Sequence, residues 1–214
     1  MGGGMVAQID IETLATTLLA RAASGRVIAA IAGPPGAGKS TVADQLCARL
    51  NRAGDGTAAI LPMDGYHLDD TLITPLGLRP RKGIPETFDP DGLYHMLVRL
   101  RANTEPQVAV PVFDRDIEIS RAGARYIPGS VRVVVVEGLY LLLKQPPWPR
   151  LRPLFDLAVM VEVPEPELRA RLTARWVGYG LSPAEVAQKV DGNDLPNGRF
   201  VRTESAAPDF VLRN

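Results

Sequence analysis

Residues 27–41 read VIAAIAGPPGAGKST, and the fold class follows from how that run divides. Val27–Ala32 is apolar and uncharged, which suits a strand buried on both faces of a parallel sheet. The next residues, Gly33-Pro-Pro-Gly-Ala-Gly-Lys-Ser40, meet G-x-x-x-x-G-K-[ST] at every fixed position. Thr41–Leu50 then carries Val42, Leu46 and Leu50 at helical spacing on one face. A strand, a glycine-rich loop and a helix in that order form a phosphate-binding loop. Its glycines let the backbone turn tightly and present N–H groups to phosphate oxygens, at a helix N-terminus that adds positive potential. Gly33, Gly36, Ala37, Gly38, Lys39, Ser40 and Thr41 are therefore the expected nucleotide-binding residues. Lys39 is placed to reach the β- and γ-phosphates, and the Ser40 hydroxyl to ligate Mg²⁺. The plain alternative is a glycine-rich turn that happens to end in Lys-Ser, and the flanking strand and helix argue against it.

The chain has 214 residues, enough for one domain with a proper core. Lys+Arg and Asp+Glu both number 24, so nothing in the net charge favours a nucleic-acid partner. Cys47, the single cysteine, falls inside the first helix after the loop and reads as a small core residue. No stretch is long and apolar enough to span a membrane. The opening MGGGMVAQ lacks a signal-peptide pattern, so a reducing cytosol is expected.

Working outward from the loop, Ile9–Ala22 reads as an amphipathic helix and Ala58–Met63 as a second strand. Residues 64–89 have little periodicity but many apolar side chains, which marks an ordered, functional segment. A helix is expected from Asp89-Pro90-Asp91 to about Arg101. Val108–Phe113 and Ala124–Ile127 suggest a hairpin, Val131–Val136 a central strand and Leu157–Val163 another. Pro166–Val177 reads as an Arg-rich helix, Ser182–Glu185 as a capped helix start and Asp209–Leu212 as a last strand. Strands alternating with helices predict a parallel α/β sheet.

Three features point past nucleotide binding. Asp64 ends the second strand, so it should face the same crevice as the loop. There it can accept a proton from an attacking hydroxyl or bind Mg²⁺ through water. Glu137 ends the apolar run Val133–Val136 and can hold Mg²⁺ directly or through water. Arg171 and Arg175 share one face of their helix, where guanidinium groups can meet charge on a transferring phosphoryl group, whereas Arg169 is turned away and reads as solvated. Tyr66, His67, Asp114 and Arg115 are candidates to touch a substrate. Arg81 and Lys82 fit either a substrate contact or a solvated surface, and His95 reads as structural.

The order GPPGAGKST, MDGYH, RKGIPETFD, PVFDRD, VVVVEGLYLLL and then an Arg-rich helix resembles the uridine kinase, pantothenate kinase and phosphoribulokinase superfamily. With WVGYGLS and NDLPN included, it is most similar to the bacterial nucleoside/nucleotide kinase proteins labelled fructose transport system kinase. The resemblance implies an α/β P-loop NTPase fold: three layers, a five-stranded parallel sheet of order 2-3-1-4-5 and a helical lid at about 166–181. It implies one domain over 1–214, with residues 64–89 and 111–127 walling an acceptor pocket. The implied activity is Mg²⁺-assisted phosphoryl transfer from ATP to a hydroxyl of a sugar, nucleoside or pantothenate-like acceptor. Asp64, Lys39, Arg171 and Arg175 would be the catalytic set, and Ser40, Glu137 and Asp64 the metal set. Asn193, Asp194 and Asn197 would approach the adenine. A homodimer is a further expectation. Two rivals stand beside this reading: a nucleotide kinase, which needs more cations in the acceptor pocket, and an ATP-binding regulatory or transport-associated protein, which needs no acceptor-side base.

Overall fold

The computed structural model describes residues 6–214, so part of the leader reading, Met1–Met5, lies outside it. The main sheet has five parallel strands: β1 (Val27–Ala32), β2 (Ala58–Pro62), β5 (Val133–Gly138), β6 (Leu157–Glu162) and β7 (Phe210–Arg213). They lie side by side as β2-β5-β1-β6-β7, which is the 2-3-1-4-5 order. A separate antiparallel hairpin joins β3 (Gln107–Asp114) to β4 (Ile119–Pro128).

Helices cover both faces of the sheet. They are α1 (Ile11–Arg21), α2 (Lys39–Arg52), α3 (Asp70–Ile73), α4 (Pro90–Ala102), α5 (Glu165–Gly178), α6 (Pro183–Lys189) and α7 (Leu195–Glu204). Side chains on β1 alternate between the two faces. Ala29 and Ile31 pack with Leu14, Leu18, Leu46 and Leu50 of α1 and α2. Ile28 and Ala30 pack with Leu93, Leu97 and Leu100 of α4. Cys47 belongs to the first of these cores, and burial pushes its thiol up to about 12.

Several boundaries differ from the sequence reading. Asp10 caps α1 through the Thr13 N–H, so the helix starts at Ile11 rather than Ile9. β5 pairs through Glu137 and Gly138, later than 131–136, so the acid lies within the strand. The hairpin is longer than expected: β4 is largely exposed up to Tyr126, and only Ile127 near its end is buried, so an apolar-alternation reading sees little before Ala124. Its register shifts between Val110 and Val112, at Pro111, which has no N–H to give the ladder. Residues 64–89 form short 3-10 turns around α3, held by buried Ile73, Ile84, Thr87 and Phe88.

Register aligns what matters. Ile31 and Pro62 both pair with Glu137, and Ala32 pairs with Gly138. The phosphate loop after β1, Asp64 after β2 and Glu137 at the end of β5 therefore share one edge of the sheet.

Candidate active site

A cleft of about 690 Å³ opens at that edge, with loop residues Pro35, Gly36, Gly38, Lys39, Ser40 and Thr41 on its floor. Gly36 and Gly38 take φ of 77° and 79°, the left-handed region that glycine enters without strain. A Cβ on Gly36 would come within 2.9 Å of Leu172 Cγ, so the loop and α5 pack against each other there. Gly33 and Ala37 support the loop without lining the cleft.

Lys39 is 7% exposed and its Nζ donates to the Pro34 carbonyl at 2.9 Å. Burial pulls its pKa down, and the charges of Glu137 and Asp64 oppose the shift. Glu137 moves the other way: burial raises its pKa, as does the charge of Asp64, while Lys39 and a bond from Ser40 pull it back. Ser40 Oγ donates to Glu137 Oε1 at 3.3 Å. A hydroxyl and a carboxylate side by side next to a phosphate loop fit Mg²⁺, a hard cation that takes oxygen donors. Among the described residues no group of three or more His, Cys, Asp or Glu could hold a metal, so protein would supply only part of the coordination shell.

Across the cleft, the Asp64 carboxylate is met by Arg115 from the tip of the hairpin. His67 stacks between Phe88 (ring centroids 4.0 Å) and Phe113 (4.6 Å), and its Nδ1 lies 2.8 Å from the Asp64 carbonyl. Only a protonated Nδ1 can donate to that carbonyl. Burial lowers the His67 pKa, so the neutral ring carries its proton on Nδ1 and leaves Nε2 as an acceptor. Lys82 Nζ bonds Asp70 at 2.7 Å and the Glu118 carbonyl at 2.9 Å, and Arg79 Nε bonds the same Asp70 at 2.8 Å.

Three expected substrate contacts lie outside the cleft lining, and the irregular turns explain why. Tyr66 is turned into the core by the 3-10 turn 63–66, with its hydroxyl buried and unpaired. Arg81 points to solvent while its neighbour Lys82 turns inward. Asp114 is engaged by Arg121 on the facing strand at 2.9 Å.

On the lid side, Arg171 and Arg175 line the cleft, and Arg169 is drawn off to Asp191 at 2.6 Å. Arg171 is tethered to Glu167 at 2.7 Å and to the Asn214 carbonyl at 3.2 Å. Arg175 has no ion pair among the described residues and lies 5.2 Å from the Trp176 ring. Asn193, Asp194 and Asn197 also line the cleft, but Asp194 is bonded to Trp176. Sequence reasoning missed Trp176, Tyr179, Lys189 and Asn214. The aromatic pair was visible in WVGYGLS, whereas nothing in the sequence marks Asn214, whose Nδ2 donates to the Ala37 carbonyl at 2.9 Å.

The sheet order and the glycine loop define a P-loop NTPase fold. No family model matches the chain. A Schizosaccharomyces pombe (strain 972) protein, provisionally named a uridine kinase, is 33% identical over 195 residues, which is 88% of this chain and 83% of that one. The pantothenate kinase of Myxococcus xanthus is 32% identical over 156 residues, 70% of this chain and 47% of that one. A solved structure from Silicibacter sp. TM1040, provisionally described as a fructose transport system kinase, is 38% identical. It superposes with a TM-score of 0.88 over 95% of this chain and 98% of that one. The chain belongs to the P-loop kinase superfamily of uridine kinase-like proteins and pantothenate kinases. It is a kinase, an enzyme of ATP-dependent phosphoryl transfer. Among the described residues no helix is long and apolar enough to cross a membrane.

Proposed function

We propose that this kinase phosphorylates a hydroxyl of a small molecule bound between Asp64, His67 and the hairpin tip. The observation that carries this reading is Asp64 itself. A carboxylate at the end of β2 shares one cleft with the phosphate loop, and its only ion-pair partner among the described residues is a half-exposed arginine on a hairpin. Protein that only bound nucleotide would not need it.

Mg·ATP supplies the transferred phosphoryl group and a cation that neutralises phosphate charge. The loop N–H groups and Lys39 would hold the triphosphate, and Ser40 with Glu137 would hold the cation. Asp64 takes the proton of the acceptor hydroxyl as its oxygen bonds to phosphorus, and the bond from phosphorus to the bridging oxygen breaks. Arg175 swings onto the charge that spreads over the phosphoryl oxygens. The lid excludes water, the competing acceptor.

A phosphate acceptor would need cations free to meet it: Arg115 is engaged by Asp64, Arg79 and Lys82 share the one carboxylate of Asp70, and Arg81 lies outside. The test is ADP release with ATP, Mg²⁺ and a panel of sugars, nucleosides, D-glycerate, pantothenate and nucleoside monophosphates. A hydroxyl compound that stimulates release supports the reading. Stimulation by a monophosphate alone overturns it in favour of a nucleotide kinase, and equal slow hydrolysis throughout overturns it in favour of a regulatory protein.

A further inference from the structure

The Asp64 carboxylate is engaged by a residue that can let it go. Arg115 Nη2 donates to its Oδ2, and no other described residue donates to that carboxylate. The partners differ in freedom: the Asp64 side chain is 18% exposed and the Arg115 side chain 50%. Asp64 lies in the 3-10 turn that follows β2, whereas Arg115 is the first residue beyond β3. When the pair opens, Arg115 is therefore the member that moves. An ion pair to a half-exposed arginine is weak enough to exchange readily.

The hairpin that carries Arg115 is itself anchored. Ser120 Oγ donates to the Gly65 carbonyl, and a Cβ on Gly65 would come within 2.6 Å of the Pro111 carbonyl oxygen, so the hairpin and the turn of Asp64 are in close backbone contact. At the tip, Lys82 Nζ donates to the Glu118 carbonyl at 2.9 Å. With both strands and the tip held, opening the pair takes a rotation of one side chain rather than movement of the hairpin. The guanidinium also has a second seat: its carbon lies 5.8 Å from the centre of the Phe113 ring, and an aromatic face attracts a guanidinium.

A carboxylate that can take a proton from an acceptor hydroxyl can take one from water. In that reaction the water oxygen bonds to the γ-phosphorus, its proton passes to Asp64, and the bond from phosphorus to the bridging oxygen breaks, leaving ADP and phosphate. An oxygen that already accepts from a guanidinium has one lone pair fewer for that proton. Asp64 and Arg115 line the same cleft as the phosphate loop, so the guanidinium stands where an attacking hydroxyl has to come. A bound acceptor contributes binding energy from the rest of the wall to displace Arg115, and water contributes none.

Resting on the kinase reading above, we propose that Arg115 discriminates against water: it holds Asp64 until a bound acceptor displaces it onto Phe113. Arg115 acts through Asp64, so it is a positioning residue.

The test is ADP release from Mg·ATP by the full chain with no acceptor present, for wild type, Arg115→Ala, Asp64→Asn and the double variant. Arg115→Ala should raise this hydrolysis by roughly 10-fold, a part of what a positioned base contributes. Its ATP affinity by calorimetry should change by less than about twofold. In the double variant hydrolysis should return to the level of Asp64→Asn alone, because Arg115 then has nothing to hold. Arg115→Lys, which keeps the charge but not the fork, should fall between wild type and Arg115→Ala. If Arg115→Ala does not fold by circular dichroism, Arg115→Gln makes the same comparison. Hydrolysis that stays at the wild-type level or drops in Arg115→Ala, or a rise that persists in the double variant, would overturn the proposal. Where a hydroxyl compound still stimulates ADP release by wild type, that failure leaves the kinase reading standing. If ATP binds and no acceptor stimulates release, both fall.

Discussion

Lys39 is a buried amine with a carbonyl for a partner, and that arrangement is tolerable because Glu137 and Asp64 stand near enough to favour its charge. It contacts the loop rather than the hydrophobic core. Lys39→Ala should therefore abolish phosphoryl transfer and weaken ATP binding while far-UV circular dichroism stays native. Normal turnover in that variant, or an unfolded spectrum, would contradict its role. The loop residues, Asp64 and Glu137 were legible because each sits at a fixed offset from a strand end. Tyr66, Arg81 and Asp114 were not, since in short 3-10 turns and on an exposed hairpin the direction of a side chain depends on neighbours remote in sequence. One residue separates outward Arg81 from inward Lys82, and no periodicity foretells that.

At the scale of elements, α5 is the packing partner of the loop. Its apolar side packs Leu168 and Leu172 into the core, and Leu172 touches Gly36. Its first turn is tied to α7, where Arg199 Nε reaches Glu165 at 3.2 Å and Arg202 reaches the same carboxylate at 2.8 Å. Arg171 and Arg175 differ in kind: Arg171 is tethered on two sides and Arg175 is not. Arg175→Ala is expected to lower kcat by roughly 10–10³-fold, with ATP affinity changed far less, if it acts on charge that develops during transfer. Equal losses in both, by steady-state kinetics beside calorimetry, would make it a ground-state contact. The Arg face was legible from helical spacing. The Trp176–Asp194 bond was not, because it joins two elements whose approach is set by the whole fold.

Across the whole molecule, the three layers and the strand order followed from alternating strand and helix patterns together with the family resemblance. The hairpin's true length did not, since beyond buried Val108, Val110 and Ile127 its strands are half-buried or exposed and are held by ladder hydrogen bonds. Cys47 gives a probe of global opening. It lies on the buried face of α2, and its thiol is pushed up to about 12, so almost no thiolate exists near neutral pH. Labelling by a thiol reagent should be slow in native protein, rise with denaturant along the unfolding curve and slow further with Mg·ATP. Fast labelling of native protein would place Cys47 outside the cooperative core.

The central claim is that the cleft transfers phosphate to a hydroxyl brought to Asp64, and one comparison tests it most directly. ATP affinity by calorimetry and transfer to the best acceptor are measured together for wild type and Asp64→Asn at saturating Mg²⁺. The amide keeps the shape of the side chain and leaves the phosphate loop untouched, so ATP affinity should stay near the wild-type value. Transfer should fall by roughly 10²–10⁴, the usual contribution of a positioned acid or base. A fall of less than about fivefold, with ATP still bound, would contradict the claim.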